Sequence, residues 1–329
     1  MRVLVTGGAG YIGSVVADEL LQAGHQVVVF DNLSRGHRQA VPKNAELVVG
    51  DLADRASLDQ LLRSREIDAV MHFAALIEAG ESMKAPEKFF RNNTANTLTL
   101  IEAMLAAGVK RFVFSSTAAL FGNPERTPIE EDDPVHPTNA YGESKLLVER
   151  MLAWFHQIHG LHYASLRYFN AAGASRPDRG EAHQPETHLI PRILEVALGR
   201  AEQVNIFGTD YATPDGTCVR DYVHVSDLAS AHRLALDALE NGPRNPLIYN
   251  LGSGHGFSVR QVVEVAREVT GHPIPVIESP RRAGDPAVLV ASSEKIRREL
   301  GWQPRFPDLK TIVESAWQWH RTHPDGYPH

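Results

Sequence analysis

From Met1 to about Lys110 the chain alternates short β-branched runs with longer segments of helical period, and few architectures accept that alternation. Val3 to Thr6 precedes Ile12 to Ala23, and Val27 to Phe30 follows. Ile12, Val15, Val16, Leu20 and Ala23 fall on one stripe of a helix, with Asp18 and Gln22 off it. Gly24 ends that helix. Further strands are expected at Leu47 to Val49, Ala69 to His72, Phe112 to Ser115 and Ala164 to Arg167. Helices are expected at Ser57 to Ser64, Pro86 to Ala107 and Tyr141 to His159. Strands joined by helical crossovers run parallel and are covered on both faces, so the expected fold is α/β with a doubly wound parallel sheet.

The rhythm loosens after Asn170. Ala171 to Thr187 is rich in Gly, Pro and charge and has neither period, which reads as a long loop into a second region. The expected division is therefore 1–170 for the main sheet and 171–329 for a smaller mixed α/β region, with return segments near 219–251. Strands at Asp221 to Val225 and Leu247 to Leu251, flanking a helix at Val225 to Leu239, are read as rejoining the main sheet. Helices at Leu189 to Leu198, Val259 to Thr270, Ser293 to Leu300 and Leu309 to Trp319 then cap the smaller region.

Composition excludes several classes of function. Across 329 residues, 33 Lys and Arg face 40 Asp and Glu, a net charge of −7 that disfavours nucleic acid and anionic membranes. The single cysteine, Cys218, allows no intrachain disulfide, and the run Val3 to Val5 is too short for a signal or membrane segment. A cytoplasmic protein is expected, and no metal is.

Thr6-Gly7-Gly8-Ala9-Gly10-Tyr11-Ile12-Gly13 lies between the first strand and helix, where a pyrophosphate would meet a helix amino terminus. Gly7, Gly10 and Gly13 suit a tight turn, close approach of backbone to phosphate, and close packing of helix on strand. The spacing is GxxGxxG rather than GxGxxG, and turns also supply such triplets. Asp31 closes the second strand 18 residues after Gly13, where a carboxylate accepts hydrogen bonds from an adenosine ribose and repels a 2′-phosphate. NAD is favoured over NADP. The competing reading has Asp31 and Asn32 capping a loop, with Arg35 and Arg38 leaving room for a phosphate. Asp51 and Leu52 after the third strand, and Phe73, Ala74 and Ala75 after the fourth, fall at carboxyl ends of strands, where Rossmann-type sheets bind ligands. Asp51 is read as facing the adenine amino group.

Tyr141-Gly142-Glu143-Ser144-Lys145 opens a helix, so Tyr141 and Lys145 share a face. An ammonium beside a phenol favours the phenolate and lowers its pKa from about 10 toward neutrality, as a base acting on an alcohol requires. Ser115-Ser116-Thr117 ends the preceding strand and places a hydroxyl where it can bond the same substrate oxygen. The competing reading is a buried tyrosine uncoupled from a surface lysine.

In that order the glycine loop, the Ser-Ser-Thr strand end and the Tyr-x-x-x-Lys helix resemble the extended short-chain dehydrogenase/reductase family over nearly the whole chain. His72 to Ala75, Gly80-Glu81-Ser82, Arg167 to Asn170, Val219 to Val225 and Arg281 to Asp285 are similar to its nucleotide-sugar 4-epimerases. The resemblance implies that UDP-glucose and UDP-galactose are interconverted through a 4-keto intermediate. Tyr141 would move the C4 hydroxyl proton and NAD the hydride. Tyr141, Lys145 and Thr117 are implied as catalytic, and Tyr11, Ile12, Asn32, Asn93, Ser115 and Tyr168 join the cofactor contacts. On the substrate side it implies Asn170, Asn205 and Phe207 near the uridine, Arg220 and Arg282 on the diphosphate, and Asp285 near the ribose. His188 and Leu189 fall in the nucleotide clamp, where His188 replaces an asparagine. Ile77 stands where some relatives carry a cofactor-contacting lysine. Leu289 falls where a tyrosine closes the sugar pocket of relatives restricted to glucose and galactose, which implies room for an N-acetyl group.

Ala118 and Ala119 follow Thr117, and alanine cannot supply the acid that a dehydratase or decarboxylase of this family needs. A non-catalytic NAD-binding regulator would need no tyrosine/lysine pair. The family also implies a homodimer through the helices at Pro86 to Ala107 and Tyr141 to His159, which carry Leu98, Ile101, Met104, Leu146, Met151 and Phe155. Burial of those side chains within the monomer is the competing reading.

Overall fold

A computed structural model of the protein describes residues 1–282 and 285–328. Positions 283 and 284 of the Arg281 to Asp285 string lie outside the described residues. The first half is built of strand and helix in turn: β1 (Arg2–Thr6), α1 (Tyr11–Gln22), β2 (Gln26–Asp31), β3 (Glu46–Val49), α2 (Arg55–Ser64) and β4 (Ala69–His72). Three short helices follow, α3 (Ala79–Ser82), α4 (Pro86–Phe89) and α5 (Asn96–Ala106). Next come β5 (Arg111–Thr117), α6 (Ala140–His159), β6 (His162–Tyr168) and β7 (Asn170–Ala172). The second half comprises α7 (Leu189–Ala197), β8 (Val204–Phe207), β9 (Val219–His224), α8 (Val225–Glu240), β10 (Leu247–Leu251), β11 (Gly256–Ser258) and α9 (Val259–Thr270). It closes with β12 (Val276–Ser279), β13 (Val288–Leu289), α10 (Glu294–Leu300) and α11 (Leu309–Thr322).

Seven strands form one sheet in the order β10-β6-β5-β4-β1-β2-β3, with every neighbouring pair parallel. The apolar runs explain it: Val3 to Thr6 and Val27 to Asp31 are wholly buried, as parallel strands covered on both faces must be. α1 and α8 cover one face through Val15, Val16, Leu20, Leu228, Ala235 and Leu236. On the other, α2, α5 and α6 contribute Leu58, Leu62, Leu100, Met104, Val148 and Leu152. This is the doubly wound α/β fold expected from the sequence.

The expected helix over 86–107 is interrupted by a π turn at Phe90–Ala95, which carries Asn93. Of the two strands read as rejoining the main sheet, only β10 does so, beside β6. β9 is instead the hub of a second sheet, parallel to β7 and β13 and antiparallel to β11. Its buried Asp221 carboxylate explains the choice: it accepts hydrogen bonds from the amides of Ser253, Gly254 and Ala291 and from the Ser253 hydroxyl. Those bonds tie β9 to loops that a place in the main sheet would leave unpaired. β8 and β12 form a separate parallel pair, and α7, α9 and α11 pack into one apolar cluster around it.

Candidate active site

Because the main sheet is parallel, the carboxyl ends of its strands share one edge, and the expected cofactor residues fall along it. Gly7, after β1, has φ 73°, and a Cβ there would lie 2.4 Å from the Ala74 amide nitrogen. A Cβ on Gly13 would lie 2.3 Å from the Gly7 carbonyl oxygen, so no side chain fits either position. Gly10 begins α1 with no side-chain cap, as a helix start that receives an anion requires. Tyr11 donates its hydroxyl to the Gly173 carbonyl at 2.5 Å, and Ile12 is half-buried against the core. Phe73 and Ala74 amides both donate to the Thr6 carbonyl, which draws the β4 loop over Gly7; Ala75 is half-buried beside them.

The loop-bracing reading of Asp31 has contacts behind it. Its carboxylate receives the amides of Ala9 at 3.0 Å and Leu33 at 2.8 Å, so it does brace the loop. It also stands at the end of β2, next to the glycine turn. Burial raises its pKa and those two amides work against the rise. Asn32 donates to Asp51 at 2.7 Å, and Leu52 is buried. Arg35 pairs with Glu78 at 3.3 Å and donates to the Gln184 carbonyl.

The catalytic expectation rests on three residues, and these converge. Asn139 caps α6 by accepting from the Gly142 amide at 2.8 Å, which starts the helix just before Tyr141. Tyr141 and Thr117 share a side-chain hydrogen bond, and Phe89 meets the tyrosine ring edge-on. Thr117 also accepts from the Ala119 amide at 3.1 Å. Lys145 is buried and donates to the Ser115 carbonyl at 2.9 Å, with its ammonium 4.8 Å from the Phe114 ring centre. Ser115 and Tyr168 bond through their hydroxyls. Asn93 clamps the residues after β4, bonding both backbone groups of Leu76 at 2.9 Å and the Ser144 hydroxyl at 3.1 Å.

One electrostatic expectation is corrected. The Tyr141 pKa is raised, chiefly by burial, with the Thr117 hydrogen bond opposing and Glu78 adding to the rise. The Lys145 pKa is pushed down to about 7 by desolvation. A helical turn does bring the two residues to one face, but the lysine reaches under the strand end, and two buried groups each disfavour their charged form.

On the substrate side, Arg220 and Asp285 form an ion pair at 2.6 Å, and the Arg282 guanidinium lies 3.9 Å from the Phe207 ring centre. Asn205 precedes Phe207 by two on β8, and Asn170 donates to the Asp221 carbonyl at 2.8 Å. Leu289 pairs with Arg220 across β13 and β9 and packs against the cluster of Ala118, Phe121 and Leu146. That contact joins the strand that bears Arg220 to the segment that follows Thr117. His188 and Leu189 begin α7, but His188 Nδ1 is spent on Glu186 at 2.9 Å.

With this geometry in place, comparison with known proteins is informative. Residues 3–252 match the model of the NAD dependent epimerase/dehydratase family. The chain belongs to that family. It is 53% identical to a UDP-glucose 4-epimerase of Halalkalibacterium halodurans, over 99% of this chain and 98% of that protein. A crystal structure of a UDP-glucose 4-epimerase superposes with TM-score 0.97 at 50% identity, covering 100% of both chains. The UDP-glucose 4-epimerase of Bifidobacterium longum, solved with NAD+ and UDP, superposes with TM-score 0.95 at 37% identity over 99% of this chain and 100% of that one.

The sequence reading of this family member missed the groups that hold the site from beneath. Glu149 on α6 takes the Ser116 hydroxyl at 2.6 Å and the Arg167 guanidinium at 2.7 Å, all three buried. This network fastens α6, which carries Tyr141, to the strand ends that carry Thr117 and Tyr168. His72 bridges the Thr6 and Thr97 hydroxyls at 2.7 and 2.8 Å below the glycine turn. Neither has a short-range signal, since the partners lie 18 to 66 residues apart.

Proposed function

We propose that this chain interconverts UDP-glucose and UDP-galactose, with NAD as resident cofactor and a 4-keto sugar as intermediate. The observation that carries the reading is the Tyr141–Thr117 hydrogen bond at the strand edge that also bears the glycine cradle. β5 lies two strands from β1, about 10 Å away. Gly7, Gly10 and Gly13 would hold the pyrophosphate of a dinucleotide and Asp31 its adenosine ribose, with Tyr141 farther along the same edge. The cradle supports the fit, because its backbone is bare where any Cβ would collide. NAD, when bound, supplies the acceptor that takes the C4 hydride and returns it.

The chain's own groups manage the proton. Tyr141 accepts it from the C4 hydroxyl and later returns it, Thr117 fixes the oxygen, and Lys145, anchored on the Ser115 carbonyl, would hold the nicotinamide ribose. Burial keeps Tyr141 protonated in the protein alone, so ionisation waits for positive charge to arrive in the site. Arg220, Arg282, Asp285, Asn170, Asn205, Phe207, His188 and Leu189 hold the nucleotide, which leaves the sugar free to present either face. Guanidinium groups suit the diphosphate oxygens. The Arg220–Asp285 pair opens to admit it. Leu289 leaves room for an N-acetyl group. Residues 1–170 with the return through β10 form the cofactor domain, and most of 171–329 serves the substrate. The protein works in the cytoplasm as a homodimer through α5 and α6.

The deciding experiment is incubation of purified protein with UDP-galactose and no added NAD, followed by separation of the sugar products. UDP-glucose is expected at equilibrium with UDP-galactose, and Tyr141→Phe is expected to lower kcat by about a thousandfold. Undiminished turnover by that variant, or release of NADH with a keto-sugar, would overturn the reading.

A further inference from the structure

The loop before α7 gathers a second set of chemical groups, of which the epimerase reading uses only His188. Glu181, His183, Glu186 and His188 follow one another as E-x-H-x-x-E-x-H, and one ligand atom from each lies within 4.8 Å of all the others. His188 Nδ1 is 3.0 Å from Glu181 Oε1 and 2.9 Å from Glu186 Oε1. His183 Nδ1 is 3.1 Å from Glu181 Oε1 and 3.6 Å from Glu186 Oε2. Four ligands at ordinary zinc bond lengths around a tetrahedral centre are separated by about 3.4 Å, so a set of ligand atoms all within 4.8 Å of one another closes on a cation by small side-chain rotations.

Two observations point to a cation at the centre of the cluster. Both carboxylates are buried, and among the described residues their only ion-pair partners are these two histidines. Buried carboxylates without a neighbouring Arg or Lys need positive charge close by, and either protonated imidazoles or a cation held between them supplies it. Independently, His183 Nδ1 is shut off from solvent and has no hydrogen-bond partner, although a carboxylate oxygen is 3.1 Å away. An imidazolium N–H would be aimed at that oxygen. A nitrogen held close but out of line fits a lone pair directed at a common point.

The surrounding contacts hold the loop in place. Trp319 donates to the Glu181 carbonyl at 2.9 Å, His37 meets the Ala182 carbonyl at 3.0 Å, and Arg35 donates to the Gln184 carbonyl. The amides of Thr187 and His188 orient Glu186 at 2.7 and 2.8 Å. Tyr11 of the glycine loop meets His183 edge-on, 6.3 Å between ring centres.

We propose that Glu181, His183, Glu186 and His188 form a four-ligand site for a divalent cation of the zinc class, which fixes the shape of this loop where His183 meets Tyr11. Two imidazoles and two carboxylates in a closed set of four are a donor set suited to Zn2+ and unsuited to Ca2+ or Mg2+, which take more oxygens. The site is structural, and it stands or falls apart from the epimerase reading because its test needs no turnover.

The test uses the full chain, stripped with chelator, reloaded with Zn2+ or Co2+ and dialysed. Elemental analysis is expected to find one zinc per chain, and the Co2+ form to show the visible bands of four-coordinate cobalt. His183→Ala and Glu186→Gln are each expected to weaken binding by more than about a hundredfold against a chromogenic chelator. Zinc should also raise the melting temperature of the unaltered chain, a readout that survives if a variant fails to fold. Absence of stoichiometric zinc in the unaltered chain, a six-coordinate cobalt spectrum, or equal binding by folded variants would overturn the proposal.

Discussion

Tyr141 shows how burial and charge compete at a single residue. A phenol inside a protein resists ionisation, and a neighbouring lysine helps only while its own ammonium survives the same low-dielectric surroundings. Here Lys145 is itself brought down to about 7, so in the isolated protein neither partner carries its charge easily. Leu289 raises a different single-residue question, that of volume. It lies on β13 against Ala118, Phe121 and Leu146, next to the strand that bears Arg220. Replacing it with tyrosine adds an aromatic ring and a hydroxyl at that boundary. Leu289→Tyr is expected to cut turnover of UDP-N-acetylgalactosamine by about a hundredfold while changing UDP-galactose turnover by less than about threefold. Competition kinetics with the two substrates measures the ratio, and equal losses on both would remove Leu289 as a selectivity determinant.

Among the elements, the junction of α6 with β5 and β6 depends most on one polar contact. Arg167 leaves β6 to reach Glu149 on α6, while Ser116 on β5 donates to the same carboxylate. Arg167→Met leaves that carboxylate buried and unpaired, and should cost about 3–5 kcal/mol in urea denaturation. The double variant Arg167→Met, Glu149→Leu should recover most of this loss, because two apolar side chains of similar volume leave no charge uncompensated. Equal destabilisation by the single and double variants would mean that shape, rather than charge, holds the junction. α6 also bears on assembly. The sequence marked Ile101, Met104 and Leu146 as interface candidates, but all three are buried within the monomer. The large exposed apolar residues of α6 are Trp154 and Ile158, 62% and 65% accessible and four residues apart on one face. If the proposed homodimer forms through this face, Trp154→Glu is expected to give a monomer in sedimentation at micromolar concentration where the unaltered chain gives a dimer.

At the scale of the whole molecule, three buried histidines set the response to acid. Burial, the largest cause in each case, pushes His72 down to about 3 and His224 and His232 down to about 4. In the unfolded chain each titrates near its ordinary value of about 6.5. The unfolded state then binds more protons between those limits. The stability these groups contribute is complete above about 6.5 and is lost as pH falls toward the folded values. Asp221 and Asp227, raised by burial, act in the opposite sense at the acid end of that window. Melting temperature is accordingly expected to fall between pH about 7.5 and about 5, and a flat profile would show that these side chains are solvated in solution. Among the described residues no helix is long and apolar enough to cross a membrane.

Periodicity and glycine placement determined the succession of strands and helices through β6, the parallel sheet and the edge on which a dinucleotide would sit. Those signals are local: a strand alternates, a helix repeats, and a turn such as that at Gly7 excludes a side chain whatever surrounds it. Tertiary structure decided what local pattern could not carry. It placed β9 in a second sheet because the amides that donate to the Asp221 carboxylate lie more than thirty residues along the chain. It set Arg220 against Asp285 and Arg167 against Glu149, and it turned Lys145 toward a carbonyl rather than a phenol. Each of these is a balance between the cost of burying a charge and the partner available to receive it. That balance exists only once distant segments have met.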